Sequence, residues 1–230
     1  MQILNISGYR FVELTDLAAL QTMLQKQGEA LGLKGTILLS AEGININLSA
    51  SMEKITAFKS ILDADVRFTQ FAFHEFYSAE QPFRKLKVKI KKEIITFRQP
   101  DLNVLGMRAP ALAPEELKQW LDEKRDITLL DTRNEYEISM GTFDGAVNLH
   151  LNHFNELPKA MGEIDPAKPV VMFCTGGIRC EKAAQYMKEH GFPDVYQLDG
   201  GILGYFAKVG GAHYSGGCFV FDERVSVEPQ

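Results

Sequence analysis

At 230 residues, 45% apolar and 24% charged, the chain has the balance of an ordinary soluble protein, with room for one large domain or two small ones. Its net charge of −5 decides nothing about nucleic acid but hides an asymmetry: residues 1–100 hold 13 Lys and Arg against 10 Asp and Glu, residues 101–230 hold 12 against 20. Three widely spaced cysteines exclude a disulfide framework, and the absence of a basic-then-apolar leader or a bilayer-length apolar stretch points to a reducing cytoplasm with no membrane partner.

Tyr9 to Leu14 alternates like a half-buried strand. Thr15 or Asp16 then caps a helix to about Leu31, with Leu17, Leu20, Met23, Leu24 and Leu31 on one stripe. Gly35–Ser40 and Ile44–Ser49, joined by Ala41-Glu42-Gly43, read as a hairpin. Ser49 or Ser51 caps a second helix to about Leu62, and further strands are expected at Val66–Tyr77 and Leu86–Ile95. The order β-α-β-β-α-β is the split arrangement of a ferredoxin-like domain, placed at residues 1–100. That fold serves many functions and decides little by itself.

Within the last of these strands Lys85, Lys87, Lys89 and Lys91 fall on one face, and Leu86, Val88 and Ile90 on the other. Such a row either guards a sheet edge against aggregation or meets a polyanion, and the pattern supports both uses equally. Phe68, Phe71, Phe73, Phe76 and Tyr77 just upstream could stack on bases, but core packing is their simpler use.

Residues 101–113, containing Gly106 and Pro110, form the expected connection to a second domain at 114–230. Pro114 opens a helix to about Lys124, with Leu117, Trp120 and Leu121 inward. Ile127–Asp131 is a buried strand, Gly141–Leu149 a turn leading into a short strand, and Phe154–Met161 a helix. Val170–Phe173 and Asp194–Leu198 are strands, Glu181–His190 is a helix, and Asp199-Gly200-Gly201 leads into a last helix from Ile202 to about Val209. The alternation implies a parallel sheet flanked by helices, an α/β domain after the α+β one.

The chemistry gathers at Cys174. It ends a wholly apolar strand, where open α/β sheets place their crevice, and Thr175-Gly176-Gly177-Ile178-Arg179-Cys180 leads from it into a helix. Loop N–H groups, the helix amino terminus and Arg179 should converge on the sulfur and lower its pKa. Two glycines let the backbone curl round it. A reactive cysteine explains this pattern; a structural one would not need it. Four residues separate Cys174 from Arg179, whereas cysteine phosphatases have five around a tetrahedral phosphate; the shorter loop is similar to that of rhodaneses, which surrounds a persulfide.

Around this centre the signals are plainer. Asp131 also ends a strand, and its expected role, with Arg133, is to bond loop N–H groups and hold the top of the sheet. Cys180 reads either as a resolving thiol or as the start of the helix, and Cys218 as an inert buried cysteine. Among five histidines only His150 and His153 are close, so neither a metal site nor any other resident cofactor is expected. The glycine pairs lack the setting of a dinucleotide fingerprint.

Asp131-Thr132-Arg133, Glu135-Tyr136-Glu137, Gly141-Thr142-Phe143, Cys174 to Arg179 and Leu198-Asp199-Gly200-Gly201-Ile202 together resemble a rhodanese domain. More narrowly, residues 174–182, Ala41-Glu42-Gly43-Ile44-Asn45 and the stretch from Gly217 to Val225 resemble the bacterial tRNA uridine hydroxylases, across nearly the whole chain and with both domains in order. The resemblance implies an oxidoreductase that converts wobble uridine 34 of tRNA to 5-hydroxyuridine, with molecular oxygen as co-substrate. It also implies the anticodon loop as partner rather than DNA and Cys174 as the catalytic residue; the lysine row, on its own charge pattern, is the candidate tRNA contact. Many members continue into a cysteine-rich tail, and this chain ends at Gln230. Two other readings stand beside it: a sulfurtransferase working through a Cys174 persulfide, and a non-catalytic tRNA-binding module. Oligomeric state leaves no trace in the sequence.

Overall fold

The computed structural model describes residues 2–105 and 109–229, which fall into two compact units, Met1–Ile94 and Ile95–Gln230. In the first, β1 (Ile3–Phe11), α1 (Leu17–Ala30), β2 (Lys34–Ser40), β3 (Gly43–Ala50), α2 (Met52–Asp63), β4 (His74–Ser78) and β5 (Leu86–Ile90) follow in order. The sheet runs β4-β1-β3-β2-β5, antiparallel except for the β2–β5 pair. Strict alternation drives this: Leu4, Ile6, Ile37, Leu39, Ile44, Ile46 and Leu48 all turn to one face. There they meet Leu20 and Leu24 of α1 and Ile55, Phe58 and Leu62 of α2.

Three expectations for this unit need correction, one being the strand expected over Leu86–Ile95, which ends at Ile90. The first strand begins at Ile3, not Tyr9. Asn5, Ser7 and Gly8 mask it, yet Asn5 is buried, its amide donating to Phe76 O at 3.2 Å and Ser78 Oγ at 2.9 Å. Val66–Tyr77 is not one strand: Val66–Phe68 is a 3-10 turn and only His74–Ser78 pairs. The Arg10 guanidinium donates to the carbonyls of Arg67 (3.0 Å), Thr69 (2.8 Å) and Gln70 (2.9 Å), so this backbone finds partners without a ladder. The basic strand is the outer edge of the sheet: Val88 is buried, while Lys85, Lys87, Lys89 and Lys91 are exposed.

The second unit comprises β6 (Ala111–Leu112), α3 (Pro114–Asp122), β7 (Thr128–Asp131), α4 (Glu135–Ile138), β8 (Gly141–Phe143), β9 (Val147–Asn148) and α5 (Leu157–Ala160). After these come β10 (Val170–Phe173), α6 (Ile178–Glu189), β11 (Val195–Leu198), α7 (Gly201–Val209), β12 (Tyr214–Gly216), β13 (Cys218–Phe219) and β14 (Ser226–Val227). A parallel sheet in the order β6-β11-β10-β7-β9 carries the expected architecture, with β10 central and fully buried. Alternate β10 residues serve two cores: Val170 and Met172 pack with Ala183, Ala184 and Met187 of α6, Val171 and Phe173 with Ile202 and Tyr205 of α7.

The expected connection at 101–113 is not all connection. Ala111–Leu112 is an edge strand on β11, and Phe97 is buried in this unit's core, stacked on Phe154 at 4.7 Å. Residues 106–108 of that connection, Gly106 among them, lie outside the described residues. Helix α6 starts at Ile178 instead of Glu181, which takes Arg179 and Cys180 into its first turn. No helix among the described residues is long and apolar enough to cross a membrane.

Candidate active site

Three elements surround the buried thiol. β10 delivers Cys174 to its carboxyl end, and Gly177, at φ +94°, turns the chain back so that its N–H donates to Cys174 Sγ at 3.1 Å. The loop carbonyls point the other way: Cys174 O accepts from Ile202 N at 2.9 Å and Thr175 O from Leu203 N at 3.0 Å, both at the start of α7. Because α7 takes the carbonyls, the loop N–H groups are left to face the sulfur. Of the two loop glycines only Gly177 has a left-handed φ, and a Cβ on Gly176 would meet nothing within 4 Å. The expectation that both are needed is therefore corrected for Gly176.

Arg179 is buried, and its guanidinium donates through both Nη atoms to Glu137 of α4, at 2.6 and 2.8 Å. Glu137 Oε2 also accepts from Asn134 N at 3.1 Å, which fixes the carboxylate before the arginine arrives. Cys180 lies beneath, its Sγ 3.8 Å from Thr132 Oγ1, whose hydroxyl donates to Phe173 O at 2.9 Å.

These contacts set the protonation of the two thiols. Burial is the largest influence on Cys174 and resists ionisation; hydrogen bonding from Cys180, the Arg179 charge and the backbone N–H groups of Arg179 and Gly177 together outweigh it and bring the thiol down to about 6. Cys180 moves the opposite way, pushed up by burial and then by its neighbour Cys174. The two shifts together favour the proton on Cys180 and the ionised form on Cys174. Cys218 is pushed up to about 12, chiefly by burial, which suits an inert cysteine.

Asp131 and Arg133 are brought close to this centre without touching the sulfur. The Asp131 carboxylate accepts from Arg133 N (3.0 Å), Arg133 Nη2 (2.6 Å) and Thr142 Oγ1 (2.8 Å), and Arg133 Nη2 donates to Gly141 O at 2.7 Å. The pair ties β7 to β8 across α4, the short helix that holds Glu137. Lys85, Lys87, Lys89 and Lys91 stand on or beside β5 of the first unit.

The roles of Glu137, Thr132 and Gly201 leave no signal in the sequence. Nothing local distinguishes Glu137 from Glu135 two residues earlier; Gly201 was part of a recognisable motif, but the loop it braces lies about one crossover away in sequence. Among the described residues no group of three or more His, Cys, Asp and Glu side chains could hold a metal ion.

Comparison with known proteins agrees with this layout. The UPF0176 acylphosphatase like domain matches residues 3–94 and the rhodanese-like domain residues 113–208. The tRNA uridine(34) hydroxylase of Cupriavidus metallidurans is 48% identical over 237 residues, 100% of this chain and 84% of the relative. That of Xanthomonas euvesicatoria is 48% identical, covering 99% and 95%, and that of Bordetella avium 46% identical, covering 100% and 98%. A solved rhodanese-like domain from Staphylococcus aureus is 24% identical over 42% of this chain and 90% of that one, with a TM-score of 0.37.

Proposed function

This chain belongs to the tRNA uridine(34) hydroxylase family, and from that premise we propose that it hydroxylates uridine 34 of tRNA at C5, with molecular oxygen as co-substrate and the anticodon loop as the bound element. The observation that carries the reading is the Cys174 sulfur at the end of β10, accepting from Gly177 N–H at 3.1 Å in surroundings that favour its ionised form. A thiolate there adds to C6 of a splayed uracil, and the electron pair displaced onto C5 attacks oxygen. Two electrons and two protons from a thiol reductant release the outer oxygen atom as water, and loss of the C5 proton expels the thiolate and restores the C5–C6 double bond. Loop N–H groups steady the sulfur, and the Arg179 cation, immobilised by Glu137, favours its ionised form. The lysine row on β5 supplies phosphate contacts to the same tRNA.

The test is nucleoside mass spectrometry on tRNA incubated in air with purified protein and a thiol reductant. The native chain is expected to produce 5-hydroxyuridine. Cys174→Ser, nearly identical in shape but with a hydroxyl too basic to ionise, is expected to bind tRNA and produce none. Equal product from Cys174→Ser would overturn the mechanism. A sulfurtransferase has the shared rhodanese-like domain in its favour; a persulfide on Cys174 after incubation with thiosulfate, with sulfur passed onward and no hydroxylated product, would replace the first reading with this one.

A further inference from the structure

Large apolar side chains left in solvent beside a reactive group call for an occupant. Phe221 is 65% exposed and Tyr136 46% exposed, and both belong to one aromatic group next to the Cys174 loop. Phe219 joins them: its ring is edge-on to Tyr136 at 5.2 Å and 88°, and to Phe221 at 5.0 Å and 87°. The group is fastened to the catalytic loop at three points. Thr175 Oγ1 donates to Phe219 O at 3.4 Å, Arg179 Cζ lies 6.0 Å from the Phe221 ring centre, and Tyr136 precedes Glu137, the partner of Arg179. The Tyr136 hydroxyl is itself held, accepting from Asn134 Nδ2 at 3.5 Å.

We propose that Tyr136, Phe219 and Phe221 form the shelf on which the target uracil stacks once it leaves the anticodon stack, and so set how the base meets Cys174. The proposal deepens the uridine-hydroxylase reading and rests on it. Phe221 and Tyr136 stay exposed despite their contacts with Phe219, which leaves flat aromatic surface suited to a heterocycle better than to a branched aliphatic side chain. Extruding a base loses its stacking in the RNA, and a ring beside the Cys174 loop restores it. A backbone hairpin alone would need none of these exposed rings, since β13 and β14 pair through main-chain bonds.

The experiment compares equilibrium binding of two anticodon stem-loop RNAs, one with uridine at position 34 and one with an abasic ribose there. The native chain is expected to prefer the uridine RNA by roughly 10-fold, the order of one base–aromatic stack. Phe221→Leu and Tyr136→Leu, which keep apolar volume without a π-face, are expected to bring that ratio close to one while leaving the abasic RNA's affinity unchanged. Phe221→Trp should keep the preference. Thiolate ultraviolet absorbance referenced to Cys174→Ser should titrate at the same midpoint in all of them, which shows the loop intact. An unchanged ratio in both leucine variants, or no preference in the native chain, overturns the shelf even if 5-hydroxyuridine is made. A preserved preference with no 5-hydroxyuridine from the native chain instead overturns the reaction and leaves the shelf standing.

Discussion

Gly201→Ala is the sharpest probe of the loop, because the residue is not in the loop. Its φ is +61°, and a Cβ there would lie 2.8 Å from Thr175 O and 2.9 Å from Gly177 N, and nearer still to Cys174 O. Three backbone atoms of the thiol cradle therefore meet one methyl group, and none is the flexible end of a side chain. The left-handed backbone costs an alanine about 1 kcal/mol. Relieving the overlap means separating α7 from the loop, which weakens the bonds from Ile202 N and Leu203 N, each contributing about 1 kcal/mol. A total loss of about 2–4 kcal/mol is expected. As the loop shifts, the Gly177 N–H is drawn off the sulfur, and the thiol pKa rises from about 6. Because a thiol ionises as pH rises, each unit of increase moves the midpoint of thiolate absorbance one unit toward alkaline pH. At pH 7 a midpoint moved from about 6 to 8 would cut the ionised fraction of the sulfur from roughly nine-tenths to roughly a tenth. Displacement of a reacting atom by about 1 Å adds a loss in turnover on the order of 100-fold. Gly176→Ala is the control, since its Cβ meets nothing within 4 Å and its φ needs no glycine; it should change stability by less than about 0.5 kcal/mol. If Gly201→Ala melts with the native protein and keeps its thiolate midpoint, α7 does not hold the loop as described.

Glu137→Gln keeps the shape of the side chain but strands the Arg179 cation in the core, and a loss of about 3–5 kcal/mol in urea unfolding is expected; a variant as stable as the native chain would mean that the pair contributes nothing. Cys180→Ala removes a hydrogen-bond donor from the Cys174 thiolate, so the absorbance midpoint should move up, and a fixed midpoint would show that Cys180 only fills space. Changing Lys87, Lys89 and Lys91 together to Ala should flatten the log–log dependence of tRNA affinity on salt by roughly 0.7–0.9 for each phosphate that is no longer neutralised. An unaltered slope would leave the row as protection of the β5 edge alone.

What could be read without coordinates was whatever the chain settles locally. Val170 to Phe173 followed by Cys-Thr-Gly-Gly admits few arrangements other than strand, tight loop and helix, and that is what forms. The helix start was misplaced because Arg179 and Cys180 look like loop chemistry, although both lie in the first turn of α6. The first half of β1 was hidden by Asn5 and Ser7, whose polarity is matched by partners far along the chain, Ser78 and Asn47. Glu135 and Glu137 show the limit best. Both follow Asn134 in one short helix; one bonds the exposed His150 and the other is buried against Arg179. Only the arrival of α6 decides which is which.

The same dependence explains why the motif from Cys174 to Cys180 is not sufficient chemistry by itself. Burial opposes a charge on the sulfur, so the thiolate exists only while several donors face it together. Gly177 can face it because α7 holds the carbonyls on the far side of the loop, and Arg179 because α4 holds its guanidinium. A free arginine would sample many rotamers and lend the sulfur only an averaged field. One clamped by a buried bidentate carboxylate keeps its charge in place before any substrate arrives, and little reorganisation remains when the sulfur reacts. The buried Asp131–Arg133 pair extends this inward, since it fastens β7 and β8 on either side of α4. The reactivity of one side chain at the end of β10 is thereby a property of three segments separated by tens of residues, which is why substitutions at Glu137 and Gly201 are expected to act on a sulfur that neither side chain touches.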